Sequence, residues 1–505
     1  MWPAPTLSSS RLLLVVVAVL AAGCGRDGSY TAPAEPASQP GGTLRYPLYA
    51  DPASVTPLGV RDRAGLTVAR QVFAGLVDFD PATLAVVPSI AQSWTHSDDL
   101  RVWTFELRRG VRFQDGSEVT AASFVLDWAA VCASGAPLAD VLALVEGYQP
   151  CRGGAADGLA GVRAVTRHRL QVTLARPFAE FAAVLTNPVT WAFPPQLDGG
   201  RPSQRSPVGA GPFRLVSWKQ GERIRLERNP DYFGPAPLPD AIELPIYTGK
   251  EGSRQAMTAY RSGQLDAAEV PPSQVLLTKA DPQLDHRLVI FPRLSVTLID
   301  PPGGLSSSLL RAIAQGTDGP EVEAAVIRWV GDAADGLAPP GTPGYTLKRS
   351  PYPHDPVAAR AELAAVGARP RLVVDTVGDD SLFDEAKTLA AGYRRVGLPA
   401  RAGRPRGETV ELSLLRWQAP YPTMDGALLP LLADPEAARL IDRARAEADP
   451  LRRAALYDRA AVTALSDVVV IPVTFEATAL LFSPRLSGCV VDAAGLPRLD
   501  RCAVA

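Results

Sequence analysis

Segments with strand periodicity and segments with helix periodicity alternate along most of the chain, and this alternation limits the possible folds more than any other feature. Residues 100–108 read LRVWTFELR and place Trp103, Phe105 and Leu107 on one face of a half-buried strand. After Thr120, the segment AASFVLDWAAV has apolar residues at helical spacing. Further strands are predicted at 169–174, 213–218, 223–228, 371–376, 410–415 and 468–474, and helices at 251–262, 357–366 and 382–395. A pair of helices is predicted over 435–465, with Asp449-Pro450 restarting the second one. The pattern predicts an α/β fold.

Length and charge narrow the class of protein. A chain of 505 residues is longer than one hydrophobic core usually serves, so at least two lobes are expected. Apolar residues make up 47% and charged residues 21%, which argues against a disordered chain and against a polytopic membrane protein. The net charge is −2 and no basic run exceeds a pair, so nucleic acid is not expected as a partner.

The N-terminus carries an apolar segment that ends at a cysteine. Residues 12–22 are apolar but too few to span a bilayer, and Cys24 follows small residues. The pattern resembles a bacterial lipoprotein box, although Ala21 stands where leucine is usual. We therefore expect residues 1–23 to be an export signal and Cys24 to carry a diacylglyceryl group, with residues 24–40 as a flexible tether. A spare cysteine inside an ordinary signal peptide is the alternative.

Four further cysteines are consistent with a location outside the cytoplasm, where disulfides form. Cys132, Cys151, Cys489 and Cys502 form an even set that allows three pairings. We expect disulfides between Cys132 and Cys151 and between Cys489 and Cys502, because each closes a short local loop. None of these cysteines lies in a CxxC pair or near a histidine at ligand spacing, so no metal site is predicted.

Several long phrases resemble one protein family. They include GGTLRYPLYADPASVTPL, PSIAQSWTHSDDLRVWTFELRRGVRFQDGSEVTAASFVLDW, VGAGPFRLVSWKQGERIRLERNPDYFG and VVVIPVTFEATALLFSPRLSG. The chain after residue 40 resembles the extracytoplasmic solute-binding proteins of peptide-type ABC transporters (family 5). The resemblance implies a two-lobed periplasmic-binding-protein-like clamp (type II, cluster C) with mixed sheets. Its first lobe would comprise residues 41–265 plus 470–505 and its second lobe residues 266–469, with a hinge at the crossing strands near 266–272 and 468–474.

The resemblance also points to candidate ligand-binding residues in RWQAPYPTMDG, residues 416–426. The family has an aspartate here that pairs with the α-ammonium of a bound peptide, and this chain has Pro420 at that position. The second acidic position is Thr423, so Asp425 is the one nearby carboxylate that could substitute if the loop shifts. These departures argue against a peptide ligand with a free amino group.

Aromatic residues are the other candidates. Trp417 and Tyr421 are predicted either to line the cleft or to pack in the core or between the lobes. Tyr46 and Tyr49, just after the first strand, are weaker candidates for the same role.

The resemblance implies a monomeric, lipid-anchored receptor on the extracytoplasmic face of the cell membrane. It would capture an oligopeptide or similar solute by hinge closure and deliver it to ABC permease subunits, without a cofactor. The alternatives are a transporter-independent solute sensor and a secreted enzyme. Against an enzyme, the four histidines are isolated and no HExxH, GxSxG or GxxxxGK motif occurs.

Overall fold

The protein is described by a computed structural model. It describes residues 41–136, 138–194, 206–249, 251–346, 349–366, 369–407, 409–492 and 495–505. The predicted export signal, Cys24 and the tether lie outside these ranges. Within them, no helix is both long and apolar enough to cross a membrane.

The strands are short except for two that are central to the molecule. They are β1 (Thr43–Arg45), β2 (Val77–Phe79), β3 (Val86–Pro88), β4 (Ala91–His96), β5 (Val102–Leu107), β6 (Val162–Thr166), β7 (Arg169–Thr173), β8 (Phe213–Lys219), β9 (Arg223–Arg228), β10 (Ala241–Pro245), β11 (Ala267–Glu269), β12 (Leu288–Asp300), β13 (Gly331–Ala333), β14 (Leu372–Asp375), β15 (Ala400–Ala402), β16 (Val410–Gln418), β17 (Ile471–Phe482), β18 (Leu486–Ser487) and β19 (Ala503–Val504).

The helices lie between these strands and cover their faces. They are α1 (Arg63–Val72), α2 (Ala121–Ser134), α3 (Tyr148–Arg152), α4 (Phe181–Val184), α5 (Gly252–Arg261), α6 (Pro272–Ala280), α7 (Ser307–Gly316), α8 (Gly319–Val322), α9 (Pro356–Ala364), α10 (Phe383–Val396), α11 (Met424–Leu428), α12 (Pro435–Arg445) and α13 (Pro450–Ser466).

The local sequence signals account for these boundaries. Thr120 precedes α2 with extended backbone, and its N–H donates to the Ser123 hydroxyl at 3.2 Å. Gly397 ends α10 in the left-handed conformation that glycine adopts without steric cost. The last predicted strand is longer and later than expected, because β17 begins at Ile471 and continues to Phe482.

Two four-stranded sheets, together with the short pairs β2–β3 and β18–β19, form the first lobe. One has the order β1-β10-β9-β8, with β1 parallel to β10, and the other has the antiparallel order β4-β5-β7-β6. Helix α1 and the C-terminal strands pack on the first sheet, while α2 covers the second, where Trp128 is fully buried. The predicted disulfides are confirmed: Cys132 pairs with Cys151 and joins α2 to α3, and Cys489 pairs with Cys502 near the C-terminus.

One large sheet organises the second lobe. Its order is β11-β17-β12-β16-β14-β15, with β14 parallel to both of its neighbours and the other pairs antiparallel. Helices α7, α9 and α10 pack on one face of it, and α11, α12 and α13 on the other. The sheets are therefore mixed, as the fold class predicts.

The long strands β12 and β17 connect the two lobes. Phe291 and Leu480 belong to the hydrophobic core of the first lobe, whereas Val296 and Phe475, further along the same strands, belong to that of the second. The β12–β17 register shifts after Pro292, where two extra residues of β12 are accommodated. A bulge of this kind bends a strand and redirects its side chains.

Candidate functional site

A cavity of about 380 Å³ lies between the lobes. Its lining from the first lobe consists of Val60, Arg61, Asp62, Arg63, Leu66, Arg70, Phe79, Leu138, Thr186, Asn187, Pro188 and Leu496. Its lining from the second lobe consists of Arg293, Leu294, Gln418, Ala419, Pro420, Tyr421 and Pro422. Mostly apolar clefts of this size with a few polar groups are typical of small-molecule sites.

Helix α1 supplies one wall of the cavity. Asp62 begins the helix and its carboxylate accepts from the backbone N–H of Gly65 at 2.7 Å, which satisfies one of the free donors of the first turn. Arg63, Leu66 and Arg70 follow at spacings of three and four, so they share one face of the helix. That face borders the cavity.

The arginines of α1 are held by acidic partners. Arg70 forms an ion pair with Asp492, which is fully buried, and its guanidinium lies 4.8 Å from the centre of the Phe79 ring. Arg63 Nη1 lies 3.7 Å from a carboxylate oxygen of Glu269, and its Nη2 donates to the Gly495 carbonyl at 2.6 Å. The helix is thus attached to both β11 and the C-terminal segment.

The bulge in β12 supplies part of the opposite wall. Arg293 and Leu294 lie between the two registers of the β12–β17 pair and both line the cavity. Arg293 Nη1 donates to Glu476 at 2.9 Å and its Nη2 donates to the Gln418 side chain at 3.2 Å. Burial lowers the pKa of Arg293, although Glu476 acts in the opposite direction.

A charge network lies behind Arg293. Glu476 also pairs with Arg416 and accepts from the Ser295 hydroxyl at 3.2 Å. Arg416 in turn pairs with Asp379 at 2.8 Å. Because Glu476 has three partners, it positions Arg293 and offers little free capacity to a ligand.

The two predicted cleft aromatics differ in their placement. Tyr421 lines the cavity with its ring and donates its hydroxyl to Asp425 at 2.6 Å. Burial, followed by the nearby Asp425, raises the pKa of Tyr421 well above its ordinary value. Trp417 is not among the lining residues; its indole N–H donates to the Gly426 carbonyl at 3.1 Å and it packs against the core under α11–α13.

Asp425 does not lie on the cavity wall. Its side chain is fully buried, and Arg445 donates to its two oxygens at 2.7 and 3.1 Å. Tyr421 and Tyr457 also contact the carboxylate, at 2.6 and 3.2 Å. In this conformation its acceptor capacity is used inside the second lobe, so Asp425 could substitute for the missing cleft carboxylate only after a shift of the loop.

Tyr46 and Tyr49 lie outside the lining of the cavity. Tyr46 is 4% exposed in the first lobe, and its burial raises its pKa to about 12. The Tyr49 hydroxyl accepts from the backbone N–H of Glu269 at 2.7 Å. Both tyrosines lie near Arg63, so they support the wall that this arginine forms.

The lobes also touch beyond the cavity. The backbone N–H of Ala179 donates to the Arg445 carbonyl at 2.8 Å, and the Asn187 side chain donates to the Pro420 carbonyl at 2.8 Å. The Tyr457 hydroxyl lies 3.1 Å from a carboxylate oxygen of Glu180.

A second pocket adjoins the cavity at these contacts. Its volume is about 680 Å³, and Pro422 lines both spaces. Its other lining residues include Trp94, His96, Trp103 and Pro343.

The cavity arginines were not predicted from the sequence. An aspartate before a helical pattern predicts the start of α1, and the apolar run around Pro292 is typical of a strand with a bulge. Neither of these local signals predicts that Arg63 and Arg293 line the same cavity, because the two residues are far apart in sequence. Among the described residues, no group of three His, Cys, Asp or Glu side chains could hold a metal ion.

Comparison with known proteins shows which family the chain matches. A model described as "Bacterial extracellular solute-binding proteins, family 5 Middle" matches residues 85–437, more than half of the chain. The probable D,D-dipeptide-binding periplasmic protein DdpA of Escherichia coli (strain K12) is 27% identical over 357 residues, covering 68% of this chain and 66% of that protein, just under two thirds of its length. The probable di/tripeptide-binding protein 5 of Pseudomonas aeruginosa (strain UCBPP-PA14) is 25% identical over 484 residues, covering 85% and 89%.

A solved structure supports the fold. Clavulanic acid biosynthesis oligopeptide binding protein 2 matches with a TM-score of 0.83 and 24% identity, over 93% of this chain and 96% of that one. A match of this extent establishes the two-lobed clamp with mixed sheets.

Proposed function

The chain belongs to the bacterial extracellular solute-binding proteins of family 5, and on that premise we propose that it captures an oligopeptide or a similar solute and delivers it to ABC permease subunits. The family comprises peptide-binding periplasmic substrate-binding proteins of ABC transporters, which are not enzymes. In the proposed role, the solute is bound and released with no bond made or broken.

The observation that carries the proposal is the cavity between the lobes. Residues of α1 and the bulge of β12 face each other across it, so a solute held there contacts both lobes at once. Such a solute favours the closed form in proportion to the contacts that only this form makes. Closure is then the signal that a membrane partner senses.

The hinge of the proposed clamp follows from the strands that connect the lobes. The predicted division is 41–265 plus 470–505 for the first lobe and 266–469 for the second. The sequence placed the hinge near 266–272 and 468–474. We now assign the bending to β17 and, in place of 266–272, to β12, because the register shift after Pro292 interrupts the pairing between the two cores.

The proposal includes an anchor at Cys24 and a monomeric receptor. Residues 25–40 are rich in Pro, Ser, Gly and Ala, and in an extended conformation they reach roughly 50 Å. Two acyl chains on Cys24 would hold the receptor on the extracytoplasmic face of the membrane. Expression in a lipoprotein-processing bacterium should place the protein in the detergent phase, and Cys24→Ala should move it to the aqueous phase. Equal partitioning of both forms would contradict the anchor.

Hinge closure can be tested on the purified protein. Thermal-shift screening against peptide, nickel-chelate and sugar libraries identifies ligands, because a ligand at one hundred times its Kd stabilises the folded state by about 2.7 kcal/mol. A ligand found in this way should reduce the radius of gyration in X-ray scattering and should be recovered chemically unchanged. Identical scattering with every ligand, or a ligand recovered as a product, would overturn the proposed function.

A further inference from the structure

The cavity presents cationic donors to a ligand. Its charged lining residues are Asp62 and four arginines: Arg61, Arg63, Arg70 and Arg293. Asp62 is the one acidic side chain among the described lining residues, and its carboxylate accepts from the backbone N–H groups of Gly65 at 2.7 Å and Ala53 at 3.1 Å. Both of its oxygens are therefore engaged by the backbone around the start of α1, and four arginines outnumber it on the cavity wall.

The other nearby carboxylates lie behind the arginines. Asp492 pairs with Arg70, and Glu476 pairs with Arg293 at 2.9 Å. Glu269 lies 3.7 Å from Arg63. None of these three acidic side chains lines the cavity. This arrangement holds the guanidinium groups at the wall and keeps their counter-charges away from the solute.

Part of the donor capacity of the arginines is unused. The Nε atoms of Arg70 and Arg293 are buried and donate to no acceptor among the described residues. Arg61 also lines the cavity and is exposed. A buried donor without an acceptor lowers the stability of the folded state. A bound anion that lets the guanidinium groups of Arg70 and Arg293 reorient would give their free donors an acceptor.

The second lobe offers no acidic side chain in compensation. Pro420 and Thr423 occupy the two positions where the family resemblance predicts carboxylates. Asp425 is fully buried against Arg445. A ligand ammonium group in the cavity would therefore lose its hydration and face four arginines, with Asp62 as the one carboxylate among the described lining residues.

We propose that the cavity selects solutes that present a carboxylate to its arginines and carry no free α-ammonium group. This inference rests on the proposed function and names the substrate class for it. N-blocked peptides and non-peptide carboxylic acids share this chemistry. Bidentate pairing with a planar guanidinium would orient the carboxylate, and the apolar lining would contact the rest of the solute.

Four probes test the inference on the purified full-length protein by isothermal titration calorimetry: three forms of trialanine that differ only at their termini, and one carboxylic acid without a peptide backbone. They are trialanine, N-acetyl-trialanine, trialanine amide and hexanoate. We expect N-acetyl-trialanine to bind more tightly than trialanine, and trialanine amide to bind at least about tenfold more weakly than N-acetyl-trialanine; trialanine binding as tightly as its acetylated form would overturn the exclusion of the ammonium group. Hexanoate binding as tightly as the acetylated peptide would assign the site to non-peptide carboxylates.

Charge-removing variants localise the effect. Arg293→Gln should weaken the binding of N-acetyl-trialanine about tenfold and leave that of trialanine amide nearly unchanged. Arg61→Gln should also weaken the binding of N-acetyl-trialanine. The Arg61 side chain is exposed, so it can be replaced without disturbing the core. Arg214→Gln is the matched control, because this arginine lies on β8 outside the cavity and is about half exposed.

The outcomes separate the inference from the proposed function. Tighter binding of trialanine amide than of N-acetyl-trialanine would overturn the inference and leave solute capture intact. If none of the four probes binds, the same variants are applied to whichever library ligand closes the lobes. A ligand that lacks an anion, or that keeps its Kd in both Arg293→Gln and Arg61→Gln, overturns the inference. Failure of every solute to change the scattering profile would overturn the proposed function and, with it, the inference.

Discussion

Replacing Asp425 by asparagine should destabilise the protein strongly without altering the affinity for a solute. The substitution keeps the shape of the side chain but removes the charge that faces Arg445, whose side chain is only 12% exposed. Arg445 would then remain as a buried cation without its main counter-charge. Of the two possible roles for Asp425, ligand contact or packing, only packing predicts this combination.

The structure sets the magnitude. Breaking a buried ion pair by removing one partner costs about 3–5 kcal/mol. We expect the lower end, about 3 kcal/mol, because Asp442 lies 3.5 Å from Arg445 and compensates part of the charge. For a lobe of about 200 residues this corresponds to a decrease in Tm of roughly 6–12 °C.

Urea and thermal denaturation followed by circular dichroism would measure the loss. Asp442→Asn is the matched control, because Asp442 is 42% exposed and its pair with Arg176 is on the surface, so its loss should cost less than about 1 kcal/mol. The double variant Asp425→Asn/Arg445→Met should lose less than the sum of the single variants, because no unpaired charge remains. A Tm within 1–2 °C of the wild type, together with weaker solute binding, would refute the reasoning.

Three further predictions concern other parts of the fold. Replacing Cys132 and Cys151 by serine should lower the free energy of unfolding by about 3 kcal/mol, since the disulfide closes a loop of 19 residues; an unchanged urea midpoint would contradict this. Burial raises the pKa of Glu385 from 4.5 to about 7, so the folded state should lose about 3 kcal/mol of stability as the pH rises from 4.5 to 8. Glu385→Gln should remove this pH dependence of the free energy of unfolding, measured by urea titration at several pH values. A pH dependence that persists in the variant would be inconsistent with this assignment. In Gly211→Ala the added Cβ would lie 2.5 Å from the backbone at the end of α1 and should lower the Tm by several degrees. Gly303→Ala has open space around the added Cβ and should leave the Tm unchanged. Equal changes in Tm for the two variants would exclude the close approach as the cause.

The sequence alone was sufficient for the elements whose signals are local. Strand β7 and helix α10 are found where periodicity and a closing glycine predict them. The two disulfides were also predictable, because each joins cysteines fewer than 20 residues apart. Strand β12 was missed because Pro292 interrupts its pattern, and the structure accommodates that proline where the pairing with β16 has not yet begun.

The candidate site depends on contacts between elements that are far apart in sequence. Residues 418–422, in the motif around Tyr421, line the cavity. The motif could not show that Asp425 faces inward, because that depends on Arg445 and Tyr457, which come from two later helices.

The sequence by itself thus determined the α/β class, most local elements and the covalent cross-links, because these depend on residues that are neighbours along the chain. Only the tertiary structure decided the character of the cavity. Arg63 lies on α1 and Arg293 in a strand bulge, and both border one cavity because packing of the lobes brings those elements together. Periodicity carries no information about such distant pairs, and it cannot show whether a charged side chain is already neutralised by a buried partner.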